Sequence, residues 1–224
     1  MAKTDLLNKG AILQRDKETY AVAPHLPAGI CSPDTLRKLA DVAEKYHAAA
    51  LKCTGAQRIA IVGLKEEDLD NVWKDLGLKP GAAVGPCVRS IKVCPGTTFC
   101  KRGVQDSVTL GLEMDKLYHG MTLPSKFKIG VSGCANSCGE SWLKDLGFLG
   151  TVKGFKILVG GEAGRTPRIA RELASGMSVD QCKGIAEKVI QYYRRNAQPQ
   201  ERMGSFIERI GFETFQKDIM GDIS

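Results

Sequence analysis

Apolar residues recur at helical spacing in two stretches of the first third of the chain. The first stretch begins at the capping sequence Ser32-Pro33-Asp34 and runs to Tyr46, and the second covers 66–76. Between them, the short apolar runs 48–53 and 58–62 predict two strands joined by a turn. The pattern therefore predicts a helix, two strands and a second helix, which form a small α+β lobe ending near residue 80.

From residue 81 onward, cysteine and glycine interrupt shorter elements. We predict a helix at 103–118, strands at 126–131 and 155–159, a helix at 179–195, and two final helices at 203–210 and 212–219 separated by Gly211. This change of pattern predicts two domains, 1–80 and 81–224.

The composition is that of an ordinary globular protein. The 224 residues are 43% hydrophobic and 25% charged, a balance that indicates neither global disorder nor a fibrous protein. No apolar stretch approaches the ~18 residues of a membrane-spanning helix, and the sequence Met1-Ala2-Lys3-Thr4-Asp5 lacks the apolar run of a secretory signal. We therefore expect a cytoplasmic protein without a membrane partner, in which eight cysteines favour metal or redox chemistry over disulfides.

The chain carries a net charge of +7, with a pI near 9.0. This charge suits nucleic acid, an anionic cofactor or an anionic substrate. Lysines and arginines are spread along the chain, and aromatic residues make up only 6%, so base-stacking platforms are sparse. A cluster- or zinc-stabilised nucleic-acid-binding protein is therefore the weaker interpretation, and we expect no nucleic-acid partner.

Four cysteines are grouped in two pairs. Five residues separate Cys94 from Cys100, and three separate Cys134 from Cys138. Four thiolates are the ligand set of a 4Fe-4S cluster, and the glycines beside both pairs let the backbone approach the sulfurs closely. Zinc also takes four thiolates, but its paired ligands usually have two to four residues between them, so the five-residue gap disfavours zinc. The other four cysteines are interpreted as structural: Cys31, Cys53, Cys87 and Cys182.

The two pairs and their surroundings resemble the sirohaem-dependent nitrite and sulfite reductases. The resemblance covers most of the chain and rests on 94–100 (CPGTTFC), 101–107 (KRGVQDS), 131–138 (VSGCANSC), 145–150 (DLGFLG), 156–161 (KILVGG) and 208–215 (ERIGFETF). It implies a 4Fe-4S cluster held by Cys94, Cys100, Cys134 and Cys138. It also implies that Cys138 bridges the cluster to the iron of a sirohaem, and that Asn136, Gln57 and Arg102 contact the cofactors.

The fold that this resemblance implies is α+β. It consists of a small ferredoxin-like α/β lobe followed by a sirohaem- and 4Fe-4S-binding α+β lobe, together one half-unit of the family's duplicated fold. Larger members carry two such copies, whereas this chain carries one. A homodimer is therefore expected to complete the two-sided site.

Basic residues match the family's substrate-side motifs at four positions. Sirohaem is a polycarboxylate and its substrates are anions, so the site needs cations that keep their charge when partly desolvated. The resemblance implies this role for Lys52 and Arg89, although the family often has arginine where this chain has Lys52. It implies the same role for Lys126 and Lys128, which alternation along the predicted strand places on one face. Arg58 is a further candidate.

The activity implied by the resemblance is the six-electron reduction of sulfite, a small oxyanion, to sulfide. Sulfite is favoured by the compact size of the chain, by analogy with small assimilatory-type sulfite reductases. The alternatives are nitrite reduction to ammonia by the same centre, and a non-catalytic sirohaem and iron-sulfur electron-transfer subunit. The sequence contains no flavin or nicotinamide motif, so electrons are expected from an external donor protein such as a ferredoxin.

Overall fold

The computed structural model describes residues 2–221. Within them the chain forms two compact units, the first ending at Gly85 and the second beginning at Pro86. None of the helices in residues 2–221 is long and apolar enough to cross a membrane.

The first unit contains an antiparallel four-stranded sheet and two α-helices. Its elements are β1 (Ala11–Leu13), β2 (Tyr20–Val22), α1 (Pro33–Lys45), β3 (Ala50–Cys53), β4 (Ile59–Leu64) and α2 (Leu69–Leu76). The strand order is β1-β2-β4-β3. Strand β3 therefore forms one edge of the sheet, and all four of its residues are exposed.

Apolar side chains of the sheet and of both helices form the core of the first unit. Its members include Tyr20, Val22 and Ile61 from the strands, Leu39 and Val42 from α1, and Val72 and Trp73 from α2. The predicted first helix is confirmed, and the Ser32 Oγ caps it by accepting from the Thr35 N–H at 3.1 Å. The predicted second helix begins at Leu69, because the preceding residues, 66–68, form a turn of 3₁₀ helix.

The second unit contains a mixed five-stranded sheet and five α-helices. Its elements are β5 (Lys92–Val93), α3 (Gly96–Phe99), α4 (Ser107–Tyr118), β6 (Ile129–Ser132), β7 (Leu146–Thr151), β8 (Gly154–Val159), β9 (Arg171–Met177), α5 (Val179–Asn196), α6 (Met203–Ile210) and α7 (Phe212–Met220). The strand order is β5-β6-β7-β8-β9. Strands β5, β6 and β7 are parallel, whereas β7, β8 and β9 are antiparallel.

Local signals set most of the helix boundaries in the second unit. Helix α5 begins with a capping box formed by Ser178 and Gln181, and Gly211 separates α6 from α7 as predicted. The helix predicted from 103 begins only at Ser107, where the Asp106 side chain accepts from the Thr109 N–H at 3.0 Å. Residues 101–106 form turns and bends instead, and they connect the first cysteine pair to α4.

An aromatic cluster fixes the segment that precedes β6. Tyr193 of α5 lies with its ring centroid 5.5 Å from that of Phe127 and 5.6 Å from that of Phe206. Phe127 is fully buried by these contacts. Its position determines where the neighbouring lysines at 126 and 128 emerge from the unit.

Candidate cluster and anion site

The two cysteine pairs follow neighbouring parallel strands. Cys94 comes directly after β5, and Gly133 and Cys134 come directly after β6, which pairs with β5 in parallel. The carboxyl ends of parallel strands meet at the same edge of a sheet. The Cys94 N–H donates to the Val131 carbonyl at 3.0 Å, and the Gly133 N–H donates to the Cys94 Sγ at 3.1 Å. The structure thus brings the Cys94 and Cys134 segments into direct contact.

Glycines let these segments pack backbone against backbone. Gly96 has a φ of 53°, a conformation that is costly for residues with a side chain. A Cβ atom on Gly133 would lie 2.7 Å from the Gly96 Cα. The Gly133 carbonyl accepts from the Val104 and Gln105 N–H groups at 2.9 and 3.0 Å. A side chain at Gly133 would therefore push the two cysteine loops apart.

All four predicted cluster ligands are free thiols. Cys94 is buried, Cys100 and Cys134 are half-buried, and Cys138 is exposed. Cys138, the most exposed of the four, is the one to which the resemblance gives the position between the cluster and the sirohaem. An exposed thiolate can face a macrocycle that lies outside the protein core.

The surroundings of these thiols fit a 4Fe-4S cluster. One sulfur already receives a backbone N–H, and such hydrogen bonds tune iron-sulfur clusters. Beside Cys138, the buried Ser137 Oγ has no hydrogen-bond partner among residues 2–221, so a bound group would satisfy it. Within that same range, no three His, Cys, Asp or Glu side chains converge as they would around a single metal ion. A cubane cluster instead binds each thiolate through a different iron.

The other predicted cofactor contacts lie in both units. Asn136 and Arg102 are exposed and lie close in sequence to Cys138 and Cys100. Gln57 belongs to the first unit, where it is half-buried in the turn between β3 and β4 with a φ of 57°.

The basic candidates of the first unit differ in accessibility. Lys52 lies on the exposed edge strand β3, where its Nζ donates to the Cys53 carbonyl at 2.9 Å. Arg58 is only 4% exposed, and its guanidinium donates to the Ala82 carbonyl at 3.3 Å. Lys52 is therefore accessible to an anion, whereas Arg58 serves the packing of its own unit.

Arg89 and the two predicted lysines lie on adjacent extended segments of the second unit. Val88 pairs with Phe127 in a parallel bridge, and the Arg89 N–H donates to the Phe127 carbonyl at 2.9 Å. Lys126 is exposed and Lys128 half-buried on either side of the buried Phe127, so both point away from the core. The predicted strand at 126–131 was wrong in its start, because β6 begins only after Lys128. The bridge to Val88 keeps the preceding residues extended and preserves the shared face.

Burial and like charges act together on these cations. Burial lowers the pKa of Lys128, and the positive charges of Lys144 and Arg202 lower it further. Burial also lowers the pKa of the Arg89 guanidinium, with a contribution from Arg202. Several partly desolvated positive charges in one region attract a small anion.

The sequence reasoning missed a buried ion pair that anchors this region. Asp145 is fully buried, and its carboxylate accepts two hydrogen bonds at 2.8 and 3.0 Å from one guanidinium nitrogen of Arg202. The Lys128 N–H also donates to it at 2.8 Å, and Arg202 donates to Glu162 at 2.7 Å. The network holds the Lys128 backbone in place. Asp145 belongs to the DLGFLG motif, which was a usable signal, whereas nothing in the sequence marked Arg202.

A second missed feature ties the two cysteine segments together. Glu140 forms ion pairs with Lys92 and with Lys144, the latter at 2.7 Å. Lys92 lies two residues before Cys94, and Glu140 lies two residues after Cys138. Burial opposes ionisation of Glu140, but the hydrogen bonds from Lys144 and Lys92 outweigh it and lower the pKa of Glu140 to about 2. Only the i,i+4 spacing of Glu140 and Lys144 was visible in the sequence.

Comparison with known proteins matches both units of the chain. A family model described as the nitrite and sulphite reductase 4Fe-4S domain matches residues 84–223, and a model of the nitrite/sulfite reductase ferredoxin-like half domain matches residues 12–79. An assimilatory-type sulfite reductase of Nitratidesulfovibrio vulgaris is 43% identical over 95% of this chain, which covers 98% of that protein. An NAD(P)H nitrite reductase of Bacillus subtilis is 39% identical over 92% of this chain, which covers only 26% of that protein.

Two solved structures share the fold at low sequence identity. Dissimilatory sulfite reductase I superposes with a TM-score of 0.82 at 16% identity, over 92% of this chain and 70% of that chain. The NirA protein of Mycobacterium tuberculosis superposes with a TM-score of 0.76 at 20% identity, over 88% of this chain and 39% of that chain. At these identities the likeness concerns the fold alone.

Proposed function

The chain belongs to the nitrite and sulphite reductase family, and on this basis we propose that it reduces sulfite to sulfide at a sirohaem coupled through Cys138 to a 4Fe-4S cluster. This membership confirms the resemblance that the cysteine motifs indicated, and it also confirms the predicted α+β fold class. The proposal rests above all on the contact between the two cysteine segments, in which the Gly133 N–H donates to the Cys94 Sγ at 3.1 Å.

The proposed ligands of the cluster are Cys94, Cys100, Cys134 and Cys138. When bound, the cluster and the sirohaem would transfer electrons from the external donor to the substrate. The roles of Asn136, Arg102 and Gln57 as cofactor contacts remain proposals of the same kind. Because such thiolates must stay reduced before the cluster is inserted, we also place the protein in the cytoplasm.

In the proposed reaction, basic side chains of the protein bind the anionic substrate and donate protons to it. We assign Lys52, Arg89, Lys126 and Lys128 to the anion. Cations directed at the oxygens of sulfite stabilise negative charge there and so weaken the S–O bonds. Reduction to hydrosulfide consumes six electrons and seven protons and releases three oxygens as water. Lys128 is suited to donate protons because burial and neighbouring cations lower its pKa, so its ammonium is a stronger acid than that of an exposed lysine.

Sulfite is proposed ahead of nitrite because of the extent of each match. The chain covers nearly all of the assimilatory-type sulfite reductase but only about a quarter of the nitrite reductase. Nitrite reduction to ammonia is the second candidate, supported by 39% identity to that protein. Both anions would use the same cations.

We further propose an external electron-donor protein and a symmetric homodimer. The chain has no flavin or nicotinamide motif of its own. Each family model matches the chain once, and the exposed edge strand β3 carries Lys52. An isologous dimer could place Lys52 of one subunit at the sirohaem of the other.

The test of the proposed function uses protein purified without oxygen. We expect visible absorption bands of a sirohaem and turnover of sulfite with reduced methyl viologen, compared with nitrite in parallel. Cys138→Ala should abolish turnover and the coupled spectrum, whereas Cys53→Ala, the matched change at an exposed cysteine outside both pairs, should leave both intact. Binding of both cofactors without turnover of either anion would instead identify a non-catalytic electron-transfer subunit. Full activity of Cys138→Ala would refute the assignment.

A further inference from the structure

The connection between α5 and α6 contacts the segment of the two lysines assigned to the anion. We call residues 197–202 the connector and residues 124–128 the lysine segment. The Gln200 N–H of the connector donates to the Pro124 carbonyl at 2.8 Å, at the first residue of the lysine segment. At the last residue of that segment, the Lys128 N–H donates to a carboxylate that also accepts from a side chain of the connector. The connector therefore contacts one end of the lysine segment directly and the other end through this carboxylate.

Hydrogen bonds from both flanking helices fix the connector itself. The Glu201 carboxylate accepts from the Gln198 N–H at 2.8 Å and from two guanidinium nitrogens of Arg209 at 2.7 and 2.8 Å. Arg209, which belongs to α6, also donates to the Asn196 carbonyl at 3.1 Å. The Tyr193 hydroxyl, from α5, donates to the Glu201 carbonyl. The packing of α5 and α6 therefore determines the path of the connector.

Arg202, the last residue of the connector, donates to carboxylates through all three of its guanidinium nitrogens. Its Nε and Nη2 donate to Asp145 at distances between 2.8 and 3.2 Å, and its Nη1 donates to Glu162 at 2.7 Å. A planar, forked guanidinium suits such a bridge, whereas a lysine ammonium is a compact point charge. The Lys128 N–H donates to the same Asp145 carboxylate at 2.8 Å. Arg202 therefore acts on the Lys128 backbone through Asp145.

The charge of Arg202 also acts on the Lys128 side chain. Burial lowers the pKa of Lys128, and so do three neighbouring cations, in the order Lys144, Arg202 and Lys126. The Asp145 carboxylate raises this pKa, with the smallest effect of the four. Because Arg202 outweighs Asp145 at the ammonium, loss of Arg202 raises the pKa of Lys128 whether Asp145 stays ionised or takes up a proton. The direction of the change is therefore determined.

We propose that Arg202 is a positioning residue of the anion site, which holds Lys128 in place through the Asp145 carboxylate. The proposal rests on the proposed function and adds a residue that no motif in the sequence indicated. When Lys128 donates a proton, its Nζ–H bond breaks and an O–H bond forms on an oxygen of the anion. The neutral amine then takes up a proton from solvent water. Both the place and the acidity of this ammonium depend on Arg202.

The experiment compares variants of Arg202 with a variant of Arg168 in the full chain purified without oxygen. Arg168 is the matched control because it donates to Glu162 at 3.3 Å and to Glu208 at 2.8 and 2.9 Å. It thus belongs to the same ion network, but its hydrogen bonds within residues 2–221 do not include Asp145. With sulfite and reduced methyl viologen, we expect kcat/KM to fall about 100-fold in Arg202→Met and about tenfold in Arg202→Lys, which keeps the charge but loses the fork. Arg168→Met should stay within about twofold of the wild type.

The pH dependence of kcat separates a positioning role from a purely structural one. In the wild type, kcat falls as the pH rises through the pKa of Lys128, because the ammonium that donates the proton is lost. Arg202→Met raises that pKa, so the falling limb of the pH profile should move to higher pH. Arg202→Lys and Arg168→Met should leave the limb in its wild-type place, the first because it keeps the charge and the second because it lies outside the contacts of Asp145.

Amine labelling measures the same change without turnover. Acetic anhydride reacts with the neutral amine of lysine, so the pH at which Lys128 is half-labelled in peptide mass maps follows its pKa. This pH should be higher in Arg202→Met than in the wild type and unchanged in Arg168→Met. An unchanged labelling pH in Arg202→Met, or equal kinetic losses in the Met variants of Arg202 and Arg168, would overturn the positioning role. Should Arg202→Met not fold, the loss in Arg202→Lys relative to Arg168→Lys decides in the same way. Absence of wild-type turnover of sulfite and nitrite would overturn the proposed function alone.

Discussion

The cysteines outside the two cluster pairs differ in how far their thiols are exposed to solvent. Cys182 is fully buried in α5, where burial raises the pKa of its thiol to about 12, whereas Cys53 is exposed on β3. The thiolate is the reactive form, and at pH 9 the raised pKa keeps Cys182 protonated. We expect iodoacetamide at pH 9 to label Cys53 and to leave Cys182 unmodified in peptide mass maps. Comparable labelling of both would contradict the burial of Cys182.

Glu140 is the common ion-pair partner of Lys92 and Lys144. Glu140→Gln removes the charge shared by Lys92 and Lys144, of which Lys144 has a side chain only 8% exposed. Because the Glu140 side chain is itself 45% exposed, solvent screens part of the loss, and we expect the free energy of unfolding to fall by about 1 kcal/mol. Urea denaturation measures this difference. Glu213→Gln, at a more exposed pair with Arg171, is the control and should have a much smaller effect.

The spacing of cysteines along the chain predicted the four cluster ligands, because the two members of each pair are close in sequence and so stay close in space in any fold. The same holds for Lys126 and Lys128, which alternate about one buried aromatic residue. The contact of Glu140 with Lys92 joins residues 48 positions apart. Such a contact depends on the parallel pairing of β5 with β6, and no local pattern encodes it.

The buried ion pair connects two elements, the start of β7 and the start of α6. Arg202→Ala would leave the Asp145 carboxylate, whose side chain is 1% exposed, without its main partner. An unpaired buried charge costs about 3–5 kcal/mol, and we expect a loss of this size in the free energy of unfolding measured with urea. Arg195→Ala, at an exposed arginine of α5, should cost far less. Replacing both partners by leucine should recover part of the loss, and failure to recover any of it would argue against the unpaired charge as the cause.

The elements differ in how well the sequence predicts them. Helices α1 and α5 were found because side-chain caps and helical periodicity coincide, whereas α6 and α7 were found because Gly211 separates two runs with helical periodicity. Strand β7 was missed because five of its six residues are buried, so it shows no alternation of apolar and polar positions. Strands β1 and β2 are only three residues long, and β9 carries mostly exposed residues. Their pairing partners, rather than their own patterns, make them strands.

At the scale of the whole molecule, the residues assigned to the site from the sequence are divided between the two units. Lys52 and Gln57 belong to the first unit, whereas the cysteines and the other basic residues belong to the second. Each of the two family models matches this chain once, and the proposed homodimer would let each subunit supply the part that the other needs. A site shared between subunits can be detected by combining two different variants in one dimer, whereas a site within one chain cannot.

Two inactive variants should therefore complement each other. In a dimer of one Lys52→Met and one Cys138→Ala subunit, one site combines the intact lysine with the intact cysteine, and the other site has neither. Co-expression with separate tags should give about half mixed dimers, and so about a quarter of wild-type sulfite reduction with methyl viologen. Co-expression of Cys134→Ala with Cys138→Ala is the control, because no mixed dimer of these two variants contains a site with all four thiolates. If each chain holds its own complete site, the first pair will be as inactive as the control, since no exchange between subunits can then join a functional lysine to a functional cluster.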